Sequence, residues 1–234
     1  TSGNICFGID DDVSWGPDVS ACSSVDFYDN SWHHFVAARD VFLDKISLYV
    51  DGIKVSETTD TTTGSLDNSQ TFYVGDIDTD NAGSGEEFAG DVDELMFFRT
   101  LADMDQVKLL YNSNKQSTLG VNTVSSANVA DKSALGIYCV PGDSSSCLPP
   151  VGEWKMNEKN GSSVADSSGN ENEMTMTNTP QWTIGVAGAG VVLAGNDQHI
   201  TRSDDSDFDF ADDADMTLEL WFKHGLASTQ EVLL

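Results

Sequence analysis

The sequence predicts an all-β protein, and three observations carry that expectation. Short runs of alternating apolar residues recur between clusters of Gly, Asp, Asn and Ser, and helix-period runs are scarce. The acidic residues comprise 29 Asp against 10 Glu, a bias toward the side chain that favours turns and rigid oxygen-bearing loops over helices.

Taken in order, the first half reads as strands at ICFGID (5–10), WHHFVAARD (32–40), KISLYVDG (45–52), QTFYVGD (70–76) and GDVDELMFFR (90–99). Ile46, Leu48 and Val50 alternate and face one side, and Asp51-Gly52 turns the chain tightly into IKVSE (53–57). One helix is expected, at DMDQVKLLYN (103–112), with Asp103 as cap, Gln106 at the capping-box position, and Met104, Val107, Leu110 and Tyr111 on the packed face. Residues 116–150 are Ser, Asn, Thr and Gly with few large apolar side chains and read as a linker. Strands resume at GEWKMNE (152–158), GVVLAG (190–195), QHITR (198–202) and MTLELWFK (216–223), and EVLL (231–234) begins another.

The 234 residues carry 11 Lys and Arg against 39 Asp and Glu, a formal charge of −28. Duplex nucleic acid is thereby excluded as a partner, because binding phosphates needs clustered cations. At 39% hydrophobic the chain is globular, and no apolar run reaches the roughly 18 residues of a membrane helix, so membrane insertion is not expected. With neither an initiating Met nor a signal peptide, the sequence reads as a mature or trimmed segment of a longer protein. Cys6 with Cys22, and Cys139 with Cys147, form two sequence-local pairs without zinc-ligand spacing. They read as disulfides of an oxidising compartment, the alternative being four buried thiols, and the glycosylation pattern at Asn160-Gly161-Ser162 agrees with secretion.

WHHFVAARD, ISLYVDGIKV, FYVGD and FAGDVDELMFFRTLADMDQVKLLY, in that order, resemble the C-terminal half of a laminin-G-like domain of the concanavalin A-like lectin class. VGEWKMNEKNGSSVADSSGNENEMTM, AGVVLAGNDQHITR and MTLELWFK resemble the N-terminal half of another. The resemblance implies a jelly-roll sandwich of two antiparallel sheets, with residues 1–115 and 151–234 as two half domains joined by the linker 116–150. Residues 151–234 followed by 1–115 would spell one whole domain, so either neighbouring copies complement one another head to tail or the chain closes on itself. A linker of about 35 residues, extendable to roughly 3.3 Å each, permits the second. In both cases EVLL is expected beside ICFGID.

Two loops are candidate metal sites. Asp76, Asp78 and Asp80 alternate and Glu87 stands at position twelve counted from Asp76, the ligand spacing of a calcium loop, although Asn81 stands where such loops want Gly. The alternative is an acidic hairpin loop in water. The second is implied by the resemblance: the Asp-Ser-Ser-Gly-Asn stretch would hold a structural calcium ion through Asp166 and Asn170 together with Asp93, and Asn172 as helper. Its alternative is an Asx-turn whose Asp bonds its own backbone.

Trp15 and Trp182 stand in loop-like contexts and are the candidates for stacking on a sugar. Trp32, Trp154 and Trp221 read as core, and Phe208 and Phe210 as anchors of the acidic run 204–215. Catalysis is not expected. Asp91 and Asp93 share a strand face but Glu94 alternates away, so the paired carboxylates of related glucanases are incomplete, and no nucleophile arrangement accompanies His33 and His34. The expected function is a non-catalytic extracellular module of a larger, repetitive surface protein, adhesive or structural, with calcium as a structural ion. Its expected partners are neighbouring copies and glycans or surface proteins. The alternative is a carbohydrate-binding module of a secreted enzyme.

Overall fold

The computed structural model describes residues 4–11, 17–66, 71–75, 87–113, 149–225 and 233. The strands are β1 (Cys6–Ile9), β2 (Val19–Cys22), β3 (Trp32–Asp40), β4 (Lys45–Val50), β5 (Ile53–Thr59), β6 (Phe72–Val74) and β7 (Ala89–Phe98), then helix α1 (Met104–Ser113). After it come β8 (Gly152–Trp154), β9 (Ser163–Val164), β10 (Met174–Thr177), β11 (Gln181–Ile184), β12 (Ala189–Ala194), β13 (His199–Arg202) and β14 (Met216–His224). A large antiparallel sheet runs β11-β12-β7-β14-β3-β4-β5, with β8 also paired to β7. Facing it are a four-stranded sheet, β6-β13-β10-β9, and the hairpin β1-β2.

The core fills the space between these layers, because alternate residues of each strand are apolar. Phe35, Ala37, Leu48, Leu95, Leu218 and Leu220 of the large sheet meet Phe7, Val74, Val164, Met174, Met176 and Ile200 of the other two. Trp154 is fully buried and donates its Nε1 hydrogen to the Asn172 carbonyl at 2.7 Å. Phe208 and Phe210 go inward, Phe208 stacked on Phe72 at 5.4 Å and Phe210 edge-on to Phe97 at 5.1 Å.

The sandwich closes within one chain. β14 pairs with β3 from Met216↔Arg39 to Lys223↔Trp32 and with β7 from Thr217↔Phe98 to His224↔Gly90. β12 and β8 flank β7, and β13 flanks β6, so residues from both predicted half domains share both main sheets. No neighbouring copy is needed to cover the edges that a half sandwich would expose. Of EVLL only Leu233 is among the described residues; its carbonyl accepts from Gly75 N at 2.7 Å, beside β6 and not beside β1.

Local chemistry explains the boundaries. Asp51 (φ 51°) and Gly52 (φ 77°) both take positive φ, as a two-residue hairpin between right-twisted strands requires. Asp103 Oδ1 accepts from Asp105 N and Gln106 N while Gln106 Oε1 accepts from Asp103 N, a complete capping box. The helix lies on the outer face of the large sheet, Val107 against Val36, Ala38 and Tyr49, and Leu110 against Met96 and Phe98. β2, β9, β10 and β11 are two to four residues long and fall in stretches not read as separate strands. Among the described residues no helix is long and apolar enough to cross a membrane.

Cys6 and Cys22 are register partners of β1 and β2 and are joined by a disulfide on the exposed side of that hairpin. Cys139 and Cys147 lie outside the described residues.

Because β14 is hydrogen-bonded on both edges and Leu220 is 1% exposed, Leu220→Ala should lower unfolding free energy by about 3 kcal/mol. Separately produced fragments 4–113 and 149–225 should each lack a cooperative melting transition and regain one when mixed. Denaturant titration and differential scanning calorimetry check both outcomes; a cooperative transition in fragment 4–113 alone would contradict the shared-sheet account.

Candidate functional site

The outward face of the smaller sheet carries a groove of about 320 Å³. Its floor crosses three strands at one level, since Tyr73 of β6 is opposite Thr201 of β13, which is opposite Thr175 of β10. Thr71, Ser203 and Glu173 extend the lining on one side, each two residues along its own chain segment from a floor residue. His199 lines the groove with its ring edge-on to Tyr73 at 5.5 Å, which fixes the phenol ring's orientation. Arg202 stands at the rim, its Nη2 donating to Asp205 Oδ2 at 2.9 Å. The groove thus combines one aromatic plane, several hydroxyls, one carboxylate and one guanidinium, a set that can donate to, accept from and stack on a polar ligand. Reading the sequence singled out none of these residues, because their proximity is created by strand register.

A second constellation is buried between the large sheet and α1. His34 and Glu219 are both wholly buried, with His34 Nε2 and Glu219 Oε1 2.8 Å apart, and Tyr111 of the helix stacks on neighbouring Trp221. Beside them stand Asp93, Glu94 and Glu153. At Glu94 the backbone takes φ 52° and the β7-β14 register shifts between Glu219 and Trp221, a bulge that breaks the strict alternation assumed for GDVDE. Asp93 accepts from Glu94 N at 3.0 Å and from Ala187 N at 3.1 Å. The latter contact exists because Gly185 has no side chain: a Cβ there would lie 2.3 Å from Asp93 Oδ2.

Burial pushes the Asp93 carboxyl up to about 7, with the charge of Glu219 adding to the rise. Burial, then the charges of Asp93 and Glu219, pushes Glu94 up to about 8. Glu219 is also raised by burial, against the opposing hydrogen bond from His34. His33 is held above its ordinary value first by Asp51, whose Oδ2 lies 2.8 Å from Nδ1, and further by Asp29.

The Asp166 loop is ordered by its own hydrogen bonds. Asp166 accepts from Glu153 N, Ser168 N and Asn172 N, and from the Ser168 hydroxyl. The single Ser168 hydroxyl proton goes to Asp166 Oδ2 at 2.7 Å, so the Val151 carbonyl receives two amide donors, Asn170 Nδ2 at 3.0 Å and Asn172 Nδ2 at 2.9 Å. Asn172 Oδ1 is buried without a hydrogen-bond partner. Turning both amides over would place their oxygens toward the Val151 carbonyl and, with Asp166, offer oxygen donors of the kind calcium takes. Asp93 accepts from Glu94 N and Ala187 N and shares none of these bonds of the loop; an acid bonded to the loop is Asp207, whose Oδ2 accepts from Asn172 Nδ2 at 2.9 Å. Among the described residues no three His, Cys, Asp or Glu side chains group so as to hold a metal.

Of the other expected sites, Asp76, Asp78, Asp80 and Trp15 lie outside the described residues, while Glu87 forms a strand bridge just before β7. Trp182 is partly buried against the core and donates to the Gly161 carbonyl at 3.0 Å, so much of its ring is committed to packing. Asn160 is exposed in the turn before β9.

Residues 1–108 match a laminin-G-like family model described as the concanavalin A-like lectin/glucanases superfamily. This segment is similar to laminin-G-like domains. The fold of the described residues, antiparallel sheets in a sandwich with one short helix, is that of the concanavalin A-like class. No curated protein and no solved structure matches the chain. The laminin-G-like match stops before α1 ends, yet the sheets it enters are completed only by β8 to β14.

A native carboxyl titrating near 8 keeps a proton that an unfolded Glu has released by about pH 5. Across that window the native state binds more protons than the unfolded one, so stability falls as pH rises. The melting temperature should drop from about pH 6 to about pH 9, and Glu94→Gln should flatten the drop. Equal slopes for the two proteins would show that Glu94 titrates normally in the fold.

Proposed function

We propose that this protein is a non-catalytic, extracellular carbohydrate-binding module of a larger adhesive or surface protein, and that it engages glycans through the groove on β6, β13 and β10. The observation that carries the reading is the groove lining: Tyr73 offers a stacking plane, and Thr71, Thr175, Thr201 and Ser203 offer hydroxyls that complement those of a sugar. The similarity of residues 1–108 to a superfamily whose description names lectins supports it. The donor set supports a non-catalytic reading. Among the described residues Glu173 is the one carboxylate lining the groove, whereas glycoside hydrolysis ordinarily uses two flanking the scissile bond. Asp93, Glu94 and Glu219 are buried in the large sheet and are not among the residues lining the groove.

In this reading calcium is structural. Asp166, Asn170, Asn172 and the Val151 carbonyl would hold it, with Asp207 adjacent, and it would tie the β8 entry to the loop before β10. The disulfide and the exposed glycosylation pattern at Asn160 favour an extracellular setting. The strand order favours self-completion over head-to-tail assembly, since the sheets are whole within one chain.

Two measurements test the proposal. On a glycan array the protein should show saturable binding that Tyr73→Ala weakens by about tenfold, the loss of roughly 1.4 kcal/mol; binding unaffected by Tyr73→Ala would move the site elsewhere. Calcium should raise the melting temperature by mass action, and Asp166→Ala should abolish that rise. A wild-type melt unchanged between calcium and chelator would remove the ion from the account.

A further inference from the structure

We infer that the ligand of the groove is a neutral glycan, recognised through hydroxyls and a sugar face, and not a carboxylated or sulfated one. The inference rests on the carbohydrate-binding reading and narrows it by electrostatics.

The guanidinium at the groove is already engaged by an acid of the chain: Arg202 gives its Nη2 to Asp205 Oδ2 at 2.9 Å. Glu173 adds a further carboxylate to the lining. Recognition of a sulfate or carboxylate by arginine draws its strength from a guanidinium fork offered bidentately, and here one arm of the fork is engaged by Asp205. Beyond the contact shell, the chain's net charge of −28 repels an approaching anion. Asp204 and Asp209 place still more acid in the segment immediately after Ser203.

The neutral part of the lining is suited to polyhydroxylated ligands. The floor series Tyr73, Thr201 and Thr175 alternates an aromatic plane with hydroxyls that each donate once and accept twice. A sugar hydroxyl has the same dual capacity, so such pairs satisfy one another without charge. The ring of Tyr73, braced by His199, supplies an apolar surface for the C–H face of the sugar. At about 320 Å³ the groove stands at the small end of ligand sites, which suits a chain end or a short stretch of a glycan.

The test uses the whole protein in calcium-containing buffer and isothermal titration. Neutral hexose oligosaccharides are compared with uronic-acid and sulfated oligosaccharides of equal length, at about 50 mM and about 500 mM salt. Neutral oligosaccharides should bind with affinities that change less than about twofold with salt. Tyr73→Ala and Thr201→Val should each weaken binding, the first by about tenfold, while Thr201→Ser, which keeps the hydroxyl, should restore it. Melting curves confirm that each variant is folded. Acidic oligosaccharides that bind more tightly, lose affinity with salt and depend on Tyr73 would overturn the neutral assignment while leaving carbohydrate binding intact. Binding of neither class would overturn the carbohydrate reading itself, and neutral binding indifferent to Tyr73 and Thr201 would show that the groove is not its site.

Discussion

The whole sandwich depends on β14 being held on both sides. Its nine residues pair with β3 along one edge and β7 along the other, and they direct Leu218, Leu220 and Phe222 into the core. Without them the large sheet falls into two separate ribbons, β3-β4-β5 and the group around β7, each with an open edge. The opposite face of β14 is equally committed. Glu219 meets His34, Trp221 meets Tyr111, and the Thr217 hydroxyl accepts from Ala102 N while donating to the Thr100 carbonyl. One strand therefore organises the core, the acid cluster and the seat of α1.

The acid cluster shows how packing and electrostatics oppose one another. A carboxyl with no exposure, such as Glu219 against His34, loses its hydration, and the hydrogen bond between the two side chains only partly offsets that loss. Around it stand Asp93, Glu94 and Glu153, with Lys155 3.3 Å from Glu153 as a nearby cation. Proton uptake is the inexpensive response to such crowding, which is why the carboxyls of Asp93 and Glu94 sit far above their ordinary range. The groove is different in kind: it is open, near neutral and built from hydroxyls, so its chemistry is insulated from that strain by the thickness of the core.

The long strands of the large sheet were legible from apolar patterns over six to ten positions, a continuous run in WHHFVAARD and alternation in MTLELWFK, and the capping box of α1 was legible from Asp103 and Gln106. Strands such as MTMT and QWTI are four residues long and offer too little periodicity to separate from loop. The Asp166 loop could be recognised from its own residues, but the bulge at Glu94, next to Asp93, is one that alternation does not reveal. Asp207, which takes the place near Asn172, comes from a 3-10 turn far along the chain. The groove was invisible for the same reason: Tyr73, Thr175 and Thr201 become neighbours only through strand register.

The strand order also sets a timetable for synthesis. β3 and β7 emerge long before the β14 that separates them in the finished sheet, and at roughly 5–20 residues per second the interval from Phe98 to Met216 is on the order of ten seconds. During that time the chain holds apolar strands whose partner has not yet been made. Premature pairing of β3 with β7 would fill the gap reserved for β14 and trap a misregistered sheet. The chain's net charge of −28 repels chain from chain and so opposes association while the sheet lacks its central strand.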